Sequence, residues 1–309
     1  MENDIFNIRY VKLHFFLELT EDCILPKFKP SALRGGIGEM LLRANCIRDR
    51  NCANCDFVKE CIVRRTMYSQ FEIQPEFVTE GDSIGYVLEC EDYRREYYVG
   101  DILGLCLILF GKSIVYLSQY LQAVDALGKS GLGKDLAHFR IVGITNTRGE
   151  DILDGYNVNM CNYKVEKIAT YIDYRLKQLD TKAGSTTLCF SSPLTQKYRG
   201  EILTAFDPEA IIRSIQRRVY LMDCFEGIDG ESAYRAELPV PEILSQDVTE
   251  RKNIRYSSRK DQKMPLRGIS GKLSVGNISE KCWPYLAAGE VLHIGKNTSF
   301  GYGRYRIVQ

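Results

Sequence analysis

The last twenty residues, GEVLHIGKNTSFGYGRYRIV from Gly289 to Val308, restrict the fold more than any other stretch. Val291 and Ile294 read as an alternating apolar run that enters a tight segment holding Gly295, Gly301 and Gly303, and the chain leaves as a strand through Tyr305 and Ile307. Lys296, Arg304, Arg306, Phe300, Tyr302 and Tyr305 are interleaved with the glycines. Glycine admits positive φ and removes the side chain that would hold a neighbour off. Such a loop therefore brings its backbone close to something, with cations and flat rings around it. A phosphodiester chain meets those terms, since N–H groups and cations receive phosphate and rings stack on bases. A hairpin that only turns the chain would use the same glycines, so both readings stay open here.

A chain of 309 residues has room for two domains of about 150 residues, each with its own core. The formal charge of +1 does not mark a nucleic-acid binder, so an RNA site requires local clustering. Clustering is present from Arg251 to Lys272, where eight Lys or Arg, among them Arg259, Lys263 and Arg267, stand against the single acid Asp261. A solvated charge run gives the same pattern. Eleven cysteines and an N-terminus with acids where a secretory signal has basic residues predict a reduced, cytoplasmic protein without a disulfide framework. The longest apolar run, Ile102 to Phe110, is too short for a membrane span, so no membrane association is expected.

Taken in order, Val11, Leu13, Phe15, Leu17 and Leu19 alternate with Tyr10, Lys12, His14, Phe16 and Glu18, which predicts a half-buried strand whose second face is free for RNA or for the other domain. Ser31 is placed to cap a helix bearing Leu33, Ile37, Met40 and Leu41. Gly35, Gly36 and Gly38 beside Arg34 imply close packing or close ligand approach in its first turns. Cys46, Cys52, Cys55 and Cys61 follow, a spacing that lets four thiolates close on one tetrahedral ion. Structural zinc is the default, and an iron–sulfur cluster uses the same ligands. Strands with a turn at Glu80 to Ser83 are expected between Phe71 and Glu89, then a strand from Gly100 and a helix over Ser113 to Leu127. Gly128 to Asp135, GKSGLGKD, imitates a P-loop, but Asp135 replaces the magnesium-binding hydroxyl and the segment follows a helix; it reads as a turn into the strand containing His138, itself structural. Thr147 to Tyr156 reads as a linker, and Val165 to Leu179 as a packing helix. Asp207-Pro208 opens a basic helix with Arg213 and Arg217 one turn apart, suited to phosphate or to solvent.

Four blocks, PSALRGGIGEMLLR (Pro30 to Arg43), the cysteine cluster, GLGKDLAHFRIVGI (Gly131 to Ile144) and LCFSSPLTQKYRG (Leu188 to Gly200), precede the terminal glycine loop. In that order they resemble the CRISPR-associated RAMP superfamily, in particular its repeat-cleaving members. The resemblance implies an α+β protein of two tandem ferredoxin-like (RRM-like) domains. Residues 1–150 would form the first, with the cysteine insert at 46–61, and residues 156–309 the second, with the glycine loop. It also implies an endoribonuclease that binds CRISPR repeat RNA and cleaves precursor crRNA, alone or beside other CRISPR effector or adaptation proteins; a homodimer is left open. The alternative is a non-catalytic subunit that holds guide RNA.

The implied reaction needs no metal: a base takes the proton of a 2′-hydroxyl in line with the next phosphate, an acid protonates the leaving 5′-oxygen, and cations hold the phosphorane. The products carry a 5′-hydroxyl and a 2′,3′-cyclic phosphate. Members of the superfamily often carry a histidine after the first strand, and this chain has none between Glu21 and Leu41. His293, beside the glycine loop, is the first choice for acid or base, with His14, Lys27 and Tyr10 behind it. Arg34, Arg213, Arg217, Arg259, Lys263, Arg267, Lys296, Gly301, Gly303 and Arg304 are the expected RNA contacts.

Overall fold

Alternation at the start of the chain produces the strand it predicts. In the computed structural model, β1 spans Arg9–Leu19, and Val11, Leu13, Phe15, Leu17 and Leu19 are all buried. The structure describes all residues except 1–4, 69, 76, 77, 79–82, 156, 229, 231–233 and 258–261; the expected turn at Glu80 to Ser83 falls largely outside the described residues, as does Arg259. From β1 the chain passes through α1 (Pro30–Asn45), α2 (Ile62–Met67), β2 (Tyr86–Glu89), β3 (Ile102–Phe110), α3 (Leu117–Ser130) and β4 (Phe139–Thr145). The strands form an antiparallel sheet in the order β2-β3-β1-β4, with a two-residue strand, Glu166–Lys167, also pairing with β1. Its inner face packs on α1 and α3 through Leu33, Ile37, Val124 and Leu127.

The second half repeats the plan. Helix α4 (Ile168–Leu176) leads to β5 (Ser185–Leu194), α5 (Pro208–Glu226), β6 (Glu242–Ser257), β7 (Gln262–Gly276), α6 (Trp283–Leu292) and β8 (Tyr305–Val308). The sheet order is β6-β7-β5-β8. Its core joins Leu188 and Phe190 to Ile211, Ile215 and Leu286, and the same cluster takes in Tyr10, Val87, Ile108 and Phe110 from the second face of the first sheet. That face therefore meets the C-terminal half at one end, while Phe16 at the other end is 39% exposed.

Local chemistry explains the helix ends. Asp207 accepts a hydrogen bond from the Ala210 N–H at 2.9 Å, Pro208 occupies the first turn, and Gly227 closes α5 at φ 84°. Ser31 does not cap α1; the helix starts one residue earlier, at Pro30, after Lys29. The run through Val291 is helix α6 and not a strand, because Trp283 to Leu292 is buried all round and so shows no stripe for periodicity to find. The basic 251–272 segment forms the far ends of the long β6–β7 hairpin. No helix among the described residues is long and apolar enough to cross a membrane.

Candidate nucleic-acid interface

The start of α1, the middle of α5, the far end of β6 and the glycine loop enclose a cleft of about 680 Å³. Arg34, Lys197, Arg213, Arg217, Arg218, Arg255 and Lys296 line it, and no carboxylate does so among the described residues. A chain of net charge +1 has thus gathered seven cations around one cleft, one of them, Arg218, buried in its wall. Helix geometry places Arg213 and Arg217 together, one turn apart on α5. Arg218 is buried and has a structural task, donating to the carbonyls of Leu292 at 3.1 Å and Ile84 at 3.3 Å.

Phe300 is the centre of the cleft wall. The Arg34 guanidinium lies 4.8 Å from its ring centre and that of Arg255 5.5 Å. Arg34 donates to Ser83 Oγ at 3.0 Å, yet its Nε and that of Arg255 are buried without a partner among the described residues. Burial, then the neighbouring Arg34, lowers the pKa of Arg255. Two guanidinium groups crowded on one ring, with donors to spare, have the chemistry to receive an anion. Lys296, Thr298 and Ser299 add polar groups from the adjoining turn.

The glycines of the loop serve the protein itself. A Cβ on Gly303 would fall on the carbonyl of Ile294, and one on Gly301 would lie 2.6 Å from the Leu88 carbonyl in β2; both residues have φ above 70°. The close approach read from the sequence is therefore loop against sheet. Tyr302 and Tyr305 are fully buried, and Tyr302 packs edge-on against Phe28 at 5.5 Å, so neither ring is available to a base.

His293 is likewise enclosed. Its exposure is zero, its Nδ1 meets the Tyr302 carbonyl at 3.0 Å, and its Nε2 meets Glu89 Oε1 at 2.8 Å. A ring with both nitrogens engaged and no open face has no place for a substrate proton, which corrects its reading as acid or base. Glu89, itself 5% exposed, also accepts from Lys12 at 3.0 Å, and Arg304 Nε stands 3.6 Å away while pairing with Glu91 at 2.5 Å. Burial would raise the Glu89 pKa, but the hydrogen bond from His293 and the charge of Lys12 hold it well below the usual carboxylate range.

The other candidates are dispersed. Tyr10 is buried and donates to Glu166 at 2.7 Å; burial and that bond raise its pKa. His14 lies in a smaller cavity beside Phe16, Glu91 and Arg304, with its pKa lowered first by burial and then by Lys12. Lys27 is exposed, and neither it nor Arg267 lines the cleft. His138, read as structural, meets Glu21 at 2.6 Å. Sequence reading missed Lys197 and Tyr198, although both lie in a quoted block, and did not single out Arg255 from its charge run; their convergence depends on the β6–β7 hairpin reaching across to α1.

The four cysteines are reduced donors of a type suited to zinc, but Cys52 is exposed, Cys46 donates to the Arg48 carbonyl at 3.3 Å, and no metal-holding group of three or more His, Cys, Asp or Glu is assembled among the described residues.

Two antiparallel sheets sharing one plan, joined across a cleft lined by cations and by no acid among the described residues, define an α+β protein with a surface suited to an anionic ligand. Residues 188–305 match the family model described as CRISPR-associated endoribonuclease Cas6, and residues 8–164 match that of AF_1859_N, described as an N-terminal domain. Over residues 188–305 the chain is thus a Cas6-type RAMP protein of CRISPR systems, and over residues 8–164 it belongs to the AF_1859_N family. It is 24% identical over 295 residues to an uncharacterized protein of Archaeoglobus fulgidus, covering 92% of each chain. Its fold is similar to that of a chain in a partial Cas6-RT-Cas1–Cas2 complex, with a TM-score of 0.61 and 11% identity; 98% of this chain is covered, and it spans about half (47%) of that one. A Cas6 product complex gives a TM-score of 0.54 at 14% identity, covering 97% of this chain and 100% of that one. Thermus thermophilus Cas6 gives 0.51 at 13%, covering 97% and 99%.

Proposed function

We propose that this chain is a repeat-RNA endoribonuclease that cleaves precursor crRNA by attack of a 2′-hydroxyl on the adjacent phosphate, leaving a 5′-hydroxyl and a 2′,3′-cyclic phosphate. The observation that carries the reading is the Arg34–Phe300–Arg255 stack in a cleft lined by seven cations. Arg34 and Arg255 would hold the scissile phosphate and the charge that grows on its oxygens, a role worth about 10²–10³ in rate for one well-aimed donor. Lys296, on the cleft wall, would supply further charge and a proton for the leaving 5′-oxygen. Tyr198 adds a hydroxyl to the same surface. On this reading the two sheet-and-helix units are two ferredoxin-like domains, and the single strand of RNA lies across their junction.

A second reading, a non-catalytic subunit that holds guide RNA, draws support from the cleft's lining, which includes no histidine among the described residues. One assay separates the two. Purified protein is incubated with 5′-labelled repeat RNA in excess EDTA, beside RNA whose 2′-hydroxyl at the mapped cut is replaced by hydrogen. A discrete cut lost only in the deoxy substrate is the expected result. Tight binding without cutting supports the guide-holding reading, and absence of both removes the RNA assignment.

The zinc proposal rests on the Cys46, Cys52, Cys55 and Cys61 spacing. It expects about one zinc per chain, reduced together with thermal stability by Cys52→Ser. Metal-free protein of equal stability would refute it.

A further inference from the structure

The cleft and the buried Glu89 cluster are two ends of one loop. Lys296 and Phe300 face the cleft, while His293 and Arg304, which bracket the same turn, reach back to Glu89 on β2 of the other sheet. Between them the backbone of Gly301 is seated on the carbonyl of Leu88, the residue before Glu89. The loop backbone is tied outward by Lys296 N–H to Thr195 O at 2.7 Å, Gly303 N–H to Pro193 O at 2.9 Å, Gly295 N–H to Ser214 Oγ at 2.9 Å and Arg304 N–H to Ser192 Oγ at 2.9 Å. All of these reach the C-terminal half and fix the loop to its own sheet; toward the N-terminal half it is held by Glu89, together with the seat of Gly301 on Leu88 and the packing of Tyr302 on Phe28.

Both ring nitrogens of His293 are engaged, Nδ1 at 3.0 Å from the Tyr302 carbonyl and Nε2 at 2.8 Å from Glu89 Oε1, so the buried ring ties the loop to β2. Every element around Glu89 contributes a titratable or charged group: Lys12 and His14 from β1, Cys106 from β3, His293 after α6, and Arg304 before β8, itself paired with Glu91. Lys12, His293 and Arg304 around one acid leave the carboxylate no freedom to turn away.

We propose that Glu89 is a positioning residue for RNA cleavage, holding the glycine loop through His293 and Arg304 so that Lys296 and Phe300 stand against Arg34 across the cleft. The inference rests on the endoribonuclease reading for its kinetic part and on geometry alone for its structural part. Misplacement of a catalytic wall by an ångström is enough to slow a reaction about a hundredfold.

The test is a double-mutant cycle in the full-length protein between Glu89→Gln and Lys296→Ala, read in single-turnover cleavage of repeat RNA, in melting temperature, and in amide hydrogen exchange. Glu89→Gln keeps the shape and removes the charge. It is expected to lower the cleavage rate about 10- to 100-fold and to speed exchange at Lys296, Phe300, Gly301 and Gly303 while leaving β5 protected. Lys296→Ala should then cost far less in the Glu89→Gln background than alone, although the two changes add in melting temperature. Glu89→Asp, which keeps the charge and withdraws it by one methylene, should fall between, and serves if the glutamine variant does not fold. Cleavage effects that simply multiply, or exchange that is unchanged or uniformly faster, would overturn the proposal. A wild-type protein that neither binds nor cuts RNA refutes the endoribonuclease reading instead, and the exchange arm still decides whether Glu89 holds the loop.

Discussion

The cleft and the Glu89 cluster are built from the same material with opposite results. Around Glu89, Lys12, His293 and Arg304 converge on one buried carboxylate, and the charges are consumed within the protein. Around Phe300, Arg34 and Arg255 converge on a ring that neutralises neither, and their Nε atoms are without partners among the described residues. Internally paired charge is structure, and charge left over is an interface. The distinction separates residues that composition treats alike: Lys12 and Lys296 differ less in chemistry than in whether an acid faces them.

The largest way to break the comparison is to remove the acid. Glu89→Ala leaves Lys12, Arg304 and the buried His293 around an apolar methyl and should cost about 3 to 5 kcal/mol of stability at neutral pH, measured by chemical denaturation. The pH dependence has a definite sign. The folded-state pKa of Glu89 is depressed, so its contribution is fully present above the ordinary value of 4.5 and is lost as pH falls through the lower folded value. Wild-type and Glu89→Ala stabilities should therefore converge on acidification below pH 4.5. A gap that stays constant into acid would show that lost packing, and not charge, is responsible.

At the other pole, Arg34→Ala removes a charge that no described carboxylate balances. Cleavage should slow about 10²–10³-fold, equivalent to about 3 to 4 kcal/mol of transition-state stabilisation. The melting temperature should hold or rise, because Arg34 is one of the causes that lower the pKa of Arg255. Arg34→Lys should recover little, since an ammonium cannot reproduce a planar fork stacked on Phe300. A fall in stability equal to that of Glu89→Ala would erase the difference between the two sites.

Much of this was legible before any coordinates. Alternation in β1, the Asp207-Pro208 start of α5, and the glycine turn after α3 are local signals, and each acts within a few residues. The identity of the loop's neighbour was not local. Gly301 is glycine because of Leu88, and His293 is enclosed because of Glu89, residues more than two hundred positions away. Three glycines announced close approach correctly but carried no information about what approached. Arg255 was hidden for a related reason: within a run of eight cations, only the register of the β6–β7 hairpin decides which one reaches Phe300. Helix α6 escaped because a segment buried on every side has no period to read.

The smallest effect tests the idea where it is most exposed to error, at Lys296. The Lys296 side chain stands in the cleft, while its backbone N–H is tied to Thr195, so Lys296→Ala should leave the loop in place and remove one charge. Each phosphate neutralised on a single strand contributes about 0.7 to the slope of log K against log salt. The variant should therefore bind repeat RNA with a slope shallower by about 0.7 to 1, and more weakly by a similar factor on RNAs of unrelated sequence, because a phosphate contact reads no bases. The same substitution at Lys12, already spent on Glu89, should leave the salt slope unchanged and lower stability instead. If both lysines altered the slope equally, pairing with an internal acid would not be what separates interface from structure in this fold.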